Sequence, residues 1–162
     1  MYIYLNEKIL LILSICLFNL INGDMNYICD NIFLGDSKAA GDEAFLKRNN
    51  ITAVINCARE YISEYKEIKF IELDINDESY KKIIQKFEIA YKFIKEYQVN
   101  YILIHCLKGK SRSVSMVVFY LMKEREWDYN TCINFIKEKK PDINSNVYYK
   151  NQLIEFYEHI KK

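Results

Sequence analysis

Nine residues near the middle of the chain, His105-Cys106-Leu107-Lys108-Gly109-Lys110-Ser111-Arg112-Ser113, constrain the fold more than any other stretch. In front of them Tyr101-Ile102-Leu103-Ile104 is a short apolar run rich in β-formers, and behind them Val114, Val117, Val118 and Leu121 recur at helical spacing. One period passing directly into the other makes the stretch a strand-to-helix turn. Consecutive backbone N–H groups around the mouth of a helix form an anion cradle, to which the helix dipole adds partial positive charge. Gly109 lets the loop curl without a Cβ, and Arg112 offers a planar fork for two oxygens of a phosphate. Cys106 opens the cradle, so the same N–H groups would favour its thiolate, which is a nucleophile.

The spacing from Cys106 to Arg112, with Ser113 next, matches the Cys-x5-Arg-[Ser/Thr] signature and resembles the cysteine-based protein tyrosine phosphatase superfamily. With His105 in front and Gly109, Ser111 and Ser113 inside, it most resembles the dual-specificity branch, small single-domain type. Ile32-Phe33-Leu34-Gly35 followed by Ile51 to Cys57 resembles the opening of such domains, so the likeness runs from about Tyr27 to Glu158.

A chain of 162 residues suits one domain with a substantial core, and one proline and four glycines argue against linkers. The formal net charge of +1 gives no global reason to expect nucleic-acid binding, so any preference for anions must be local. Five cysteines, at 16, 29, 57, 106 and 132, show no paired short spacing and suggest neither a disulfide framework nor a zinc site. Reduced, intracellular thiols are the simplest reading, and no metal is called for.

The apolar run Ile9 to Ile21 is short for a membrane span of about 20 residues. It matches the apolar region of a signal peptide, with Gly23 at a passable cleavage site. Residues 1–24 are therefore a signal or membrane anchor, an upstream extension with translation starting at Met25, or a helix packed on the domain. Membrane association is expected only through this segment. A cytoplasmic location suits a reactive thiol at residues 25–162, whereas a real signal would direct it to an oxidising lumen.

From Tyr27 the pattern is α/β, with a central, mostly parallel sheet of about five strands flanked by helices. Tyr27-Ile28 and Ile32-Phe33-Leu34 form a hairpin round Asp30-Asn31; Ser37 or Asp42 can cap a helix carrying Ala44, Phe45 and Leu46. Ile51 to Asn56 and Phe70 to Leu73 are strands, and Ile83, Ile84, Phe87, Tyr91 and Ile94 share one face of a long helix. Such a helix returns the chain as a parallel crossover into the strand before Cys106, which places the acidic stretch after Leu73 on the loop's edge of the sheet. Asp128 caps a helix bearing Cys132, Ile133 and Ile136 that ends at Pro141, and a last helix runs to about Ile160.

The resemblance implies a protein tyrosine phosphatase-like fold and hydrolysis of phosphotyrosine and phosphoserine/phosphothreonine through a phosphocysteine intermediate, without cofactor, by a monomer acting on phosphorylated proteins. Cys106 would attack phosphorus. Arg112 and the loop from Leu107 through Lys108, Gly109, Lys110 and Ser111 would hold the phosphate, and Ser113 would bond to the thiolate. The family's acid loop lines up with Leu73-Asp74-Ile75-Asn76-Asp77 and points to Asp77 as general acid, with Asp74 second and Glu78 a further candidate; all three could equally be caps or solvated charges. His105 would steady the loop from behind, and Asn146, preceded by Ser145 in place of the family's proline, would brace it or simply cap a helix. Cys57, at a strand end, could be a redox partner of Cys106 or a buried thiol. Lys108 and Lys110 keep a phosphoinositide or inositol polyphosphate substrate open as an alternative, and a phosphate-reading module without turnover is a third.

Overall fold

The computed structural model describes residues 23–59, 65–76 and 80–162; the apolar run Ile9 to Ile21 lies outside them. Strand β1 (Met25–Cys29) pairs antiparallel with β2 (Ile32–Gly35), and Asp30 makes the turn between them at φ 49°. That left-handed conformation suits an aspartate better than a branched residue. Two short helices follow where one was expected, α1 (Ser37–Gly41) and α2 (Glu43–Arg48). The division has a local cause: the Asp36 carboxylate accepts from Ala39 N–H and the Asp42 carboxylate from Phe45 N–H, both at 2.8 Å, so each aspartate starts its own helix.

The β-branched run then forms β3 (Ile51–Asn56), and β4 (Lys69–Glu72) lies parallel to it, with Leu73 N–H still bonded to Asn56 O at 2.9 Å. Helix α3 (Tyr80–Glu96) buries Ile83, Phe87, Ala90 and Ile94 on one face and returns the chain to β5 (Tyr101–His105). The sheet order is β1-β2-β5-β3-β4, with β5 parallel to both its neighbours. As a central strand it is buried from Ile102 to His105, which its continuous apolar run foreshadows.

Helices α4 (Arg112–Arg125), α5 (Tyr129–Lys139) and α6 (Val147–Ile160) complete the chain. Every residue of α4 from Ser113 to Met122 is buried, so this helix is the centre of the larger core and packs on β5, α3, α5 and α6. Ile102 and Ile104 face that core; Leu103, between them, joins Ala40, Leu46, Ile51, Val54 and Ile68 on the other side of the sheet, beneath α1 and α2. Among the described residues no helix is long and apolar enough to cross a membrane.

Register positions the site. His105 lies opposite Asn56, and Asn56 opposite Glu72, so the chain leaves β5, β3 and β4 at one edge of the sheet. The loop after His105, the thiol of Cys57 and the stretch from Leu73 to Asn76 all begin there.

Candidate active site

Residues 106–111 span the gap between β5 and α4. Gly109 is the hinge of this loop, with φ at +64° and so little room that a Cβ would stand 2.6 Å from Gly35 O. The loop is gripped from both sides. Ser37 bonds to Leu107 O through its N–H at 3.3 Å and its hydroxyl at 3.1 Å, and Asn144 N–H donates to Lys110 O at 2.9 Å.

Ser111 stands at the N-cap of α4 but makes no side-chain cap bond; its carbonyl instead accepts from Ser115 N–H and hydroxyl. The N–H groups of Gly109, Ser111 and Ser113 bond to the Cys106 sulfur. Burial pushes the Cys106 thiol up, but the Ser113 hydroxyl, 3.2 Å from Sγ, and the N–H groups of Ser113, Ser111 and Gly109 together hold it below its ordinary value. Burial takes Cys29 and Cys132 in the opposite direction, to about 12, and raises Cys57 as well. Among the described thiols, Cys106 alone is placed to react as thiolate.

The cleft above the sulfur, about 570 Å³, is lined by Cys106, Leu107, Lys108, Lys110, Ser111 and Arg112 from the loop and by Asn144 and Asn146 from the far side. His105 is fully buried beneath it. Burial takes its imidazole down to about 4 against the opposing effect of a hydrogen bond with the Cys106 backbone, so the ring is neutral where it meets the start of the loop. Cys57 N–H donates to His105 O at 2.8 Å, which seats its thiol near enough for charge on Cys106 to push it up.

The structure adds detail at two of the expected positions. The Asn146 side chain caps α6, accepting from Tyr148 N–H at 2.8 Å while still lining the cleft, and the main-chain brace on the loop comes from Asn144. Of the candidate acids, Asp74 is in the left-handed region at φ 45° and its carboxylate accepts from the Asn76 amide at 2.8 Å; Asp77 and Glu78 lie outside the described residues.

A support the sequence reading missed is Lys140. This lysine is only 2% exposed, and its ammonium pairs with both Asp24 and Asp142. Asp24→Asn removes one of two partners from a buried cation, which should cost about 2 kcal/mol and lower the midpoint of urea unfolding.

The family model described as "Dual specificity phosphatase, catalytic domain" matches residues 32–159. The chain belongs to the dual specificity phosphatase family. It is 32% identical over 130 residues to the dual specificity protein phosphatase Mpk3 of Drosophila melanogaster, covering 77% of this chain and 32% of that one. With dual specificity protein phosphatase 22 of Xenopus laevis it shares 30% identity over 134 residues, 82% of this chain and 64% of that one. The chain therefore spans less than two thirds of the length of either relative. The crystal structure of DUSP15 superposes with a TM-score of 0.75 at 26% identity, over 84% of this chain and 88% of that one. The fold is that of the dual specificity phosphatases, and the cleft described above falls within the matched domain.

Proposed function

We propose that this dual specificity phosphatase domain hydrolyses phosphotyrosine and phosphoserine/phosphothreonine in proteins, by a phosphocysteine route that needs no metal. The observation that carries this reading is the Cys106 sulfur, whose thiolate form is favoured by the Ser113 hydroxyl and three loop amides at the floor of a cleft that Arg112 also lines. Sγ attacks phosphorus as the bond to the leaving oxygen breaks, and that oxygen takes a proton from a carboxylic acid. The loop N–H groups and the Arg112 guanidinium hold the remaining three oxygens. The same acid, now a carboxylate, then takes a proton from water; the water attacks phosphorus, the S–P bond breaks and thiolate returns to the Ser113 hydroxyl. Asp77 is proposed as the acid, from the loop after β4 that opens on the same sheet edge as Cys106. Asp74 is the second choice, since the Asn76 amide already occupies its carboxylate.

Initial-rate hydrolysis by the full chain in EDTA with reductant tests the reading, comparing phosphotyrosine and phosphothreonine peptides with a short-chain phosphoinositide. Peptide turnover that EDTA leaves intact is the expected result. Dominant lipid turnover would reverse the substrate assignment. Against that outcome, Lys110, one of the two loop lysines that raised it, is already paired with Asp142 at 3.0 Å.

Cys57 is proposed as the resolving thiol. Peroxide would oxidise the Cys106 thiolate to sulfenic acid with release of water, and the Cys57 thiol would condense with it to a disulfide, releasing a second water. Burial keeps Cys57 protonated, so it waits for the sulfenic acid and does not itself meet the oxidant as thiolate. Cys57→Ser is expected to reduce, by about threefold or more, the activity that dithiothreitol restores after a peroxide pulse. Equal recovery would make Cys57 a packing residue.

A further inference from the structure

Lys140, Asp142 and Lys110 form a chain of alternating charge that runs from the interior to the wall of the cleft. The Asp142 carboxylate is shared: Oδ1 accepts from the buried Lys140 ammonium at 2.8 Å and Oδ2 from Lys110 at 3.0 Å. An exposed ion pair ordinarily has two long, mobile side chains and contributes little. Here three restraints act together. Asp142 is pinned by a cation that is 2% exposed and is itself held by Asp24 on its other side. Lys110 is fixed at its main chain by Asn144 N–H, and Asn144 and Lys110 both line the cleft. The four side chains carry two positive and two negative charges, so this wall of the cleft is compensated before any substrate arrives.

The reacting phosphate does not need the Lys110 charge, because the loop amides and Arg112 face it. A second anionic group beside that phosphate would be the natural user of Lys110. We propose that Asp142 is a specificity-determining residue: by pairing with Lys110 it withholds this cation from substrate, so Lys110 contributes nothing toward a second phosphate next to the one the site binds. The inference rests on the phosphatase reading of the cleft and deepens it toward singly phosphorylated peptide sites.

The test measures binding, so that it stands apart from turnover. Full-length chain carrying Cys106→Ser is titrated with two phosphotyrosine peptides that differ only by a phosphoserine adjacent to the phosphotyrosine. The parent should bind the two with Kd values within about twofold of each other. Adding Asp142→Asn should favour the doubly phosphorylated peptide by about fivefold, a gain that shrinks at about 0.5 M salt and vanishes when Lys110→Met is added. Lys110→Met alone should leave the parent ratio where it was, which provides a reading even if Asp142→Asn folds poorly, and Asp142→Glu should keep that ratio. An Asp142→Asn effect equal on both peptides would show a merely structural role and overturn the proposal. So would a gain that survives Lys110→Met, a parent preference for the doubly phosphorylated peptide that Lys110→Met removes, or failure of the parent to bind either peptide. If the chain with Cys106 intact turns over no peptide while the ratio still moves as stated, the phosphatase reading fails and the role of Asp142 in anion selection stands.

Discussion

Cys106→Ser should lower kcat on phosphopeptides by at least about 10⁴-fold while the thermal midpoint stays within a few degrees of wild type. The two side chains differ by one atom, and the site around them is a scaffold of main-chain bonds that does not depend on sulfur: Ser37 and Asn144 still grip the loop and His105 still fills the space behind it. What the substitution removes is the nucleophile. The Ser113 hydroxyl and the N–H groups of Ser113, Ser111 and Gly109 bring a thiol of ordinary value 9.0 below it despite burial. A serine hydroxyl starts so much higher that the same bonds leave it protonated at neutral pH. Substrate binding should survive, since the amides and Arg112 remain. Ser113→Ala provides the complementary readout: losing the hydroxyl that favours thiolate must raise the Cys106 pKa, so the pH midpoint of its alkylation by iodoacetate moves up. Wild-type turnover by Cys106→Ser would remove this thiol from the chemistry altogether.

The loop was legible because its chemistry and its local structure are written in nine contiguous residues. The buried strands were legible for a similar reason, since Ile51 to Asn56 and Tyr101 to His105 show their environment in their own composition. The insertion of β5 between β2 and β3 was not, because strand order is decided by which faces cover which, and no local period records it. Asn144 was invisible for a different reason. Its brace on Lys110 uses only the backbone N–H, so side-chain identity carries no trace of it, while the side chain that drew notice, Asn146, caps a helix. Lys140 was missed for a further reason, since nothing in the local sequence marks a lysine beside Lys139 as buried. Its burial depends on Asp24, 116 residues away in sequence, at the threshold of the first strand. The proposed acid Asp77 lies outside the described residues; the stretch from Leu73 to Asn76 before it leaves β4 at the sheet edge where the loop after His105 begins.

Gly109→Ala should be severely damaging to activity, although it adds a single methyl. A left-handed φ of +64° costs an alanine about 1–2 kcal/mol. The steric term is larger, because the new Cβ would meet Gly35 O at 2.6 Å and Gly35 C at 2.7 Å, which are main-chain atoms of β2 rather than the end of a side chain that could swing away. Nor can β2 retreat freely: Gly35 is itself close-packed, to the point that a Cβ there would stand 2.7 Å from Asp24 O. The loop must move instead, by an appreciable fraction of an ångström, and the amides of Gly109, Ser111 and Ser113 lose their aim at Cys106. Misplacement on that scale predicts a fall in kcat of about 10²-fold, a Cys106 alkylation midpoint shifted to higher pH, and a loss of about 2–4 kcal/mol of stability. Gly109→Asn separates the two causes, because asparagine tolerates the left-handed region yet carries the same Cβ. If backbone conformation were the whole reason for glycine, the asparagine variant would recover most of the activity. The 2.6 Å approach predicts that it will not, and a fully active Gly109→Asn would mean that the loop can stand off from β2 without losing its hold on the thiolate.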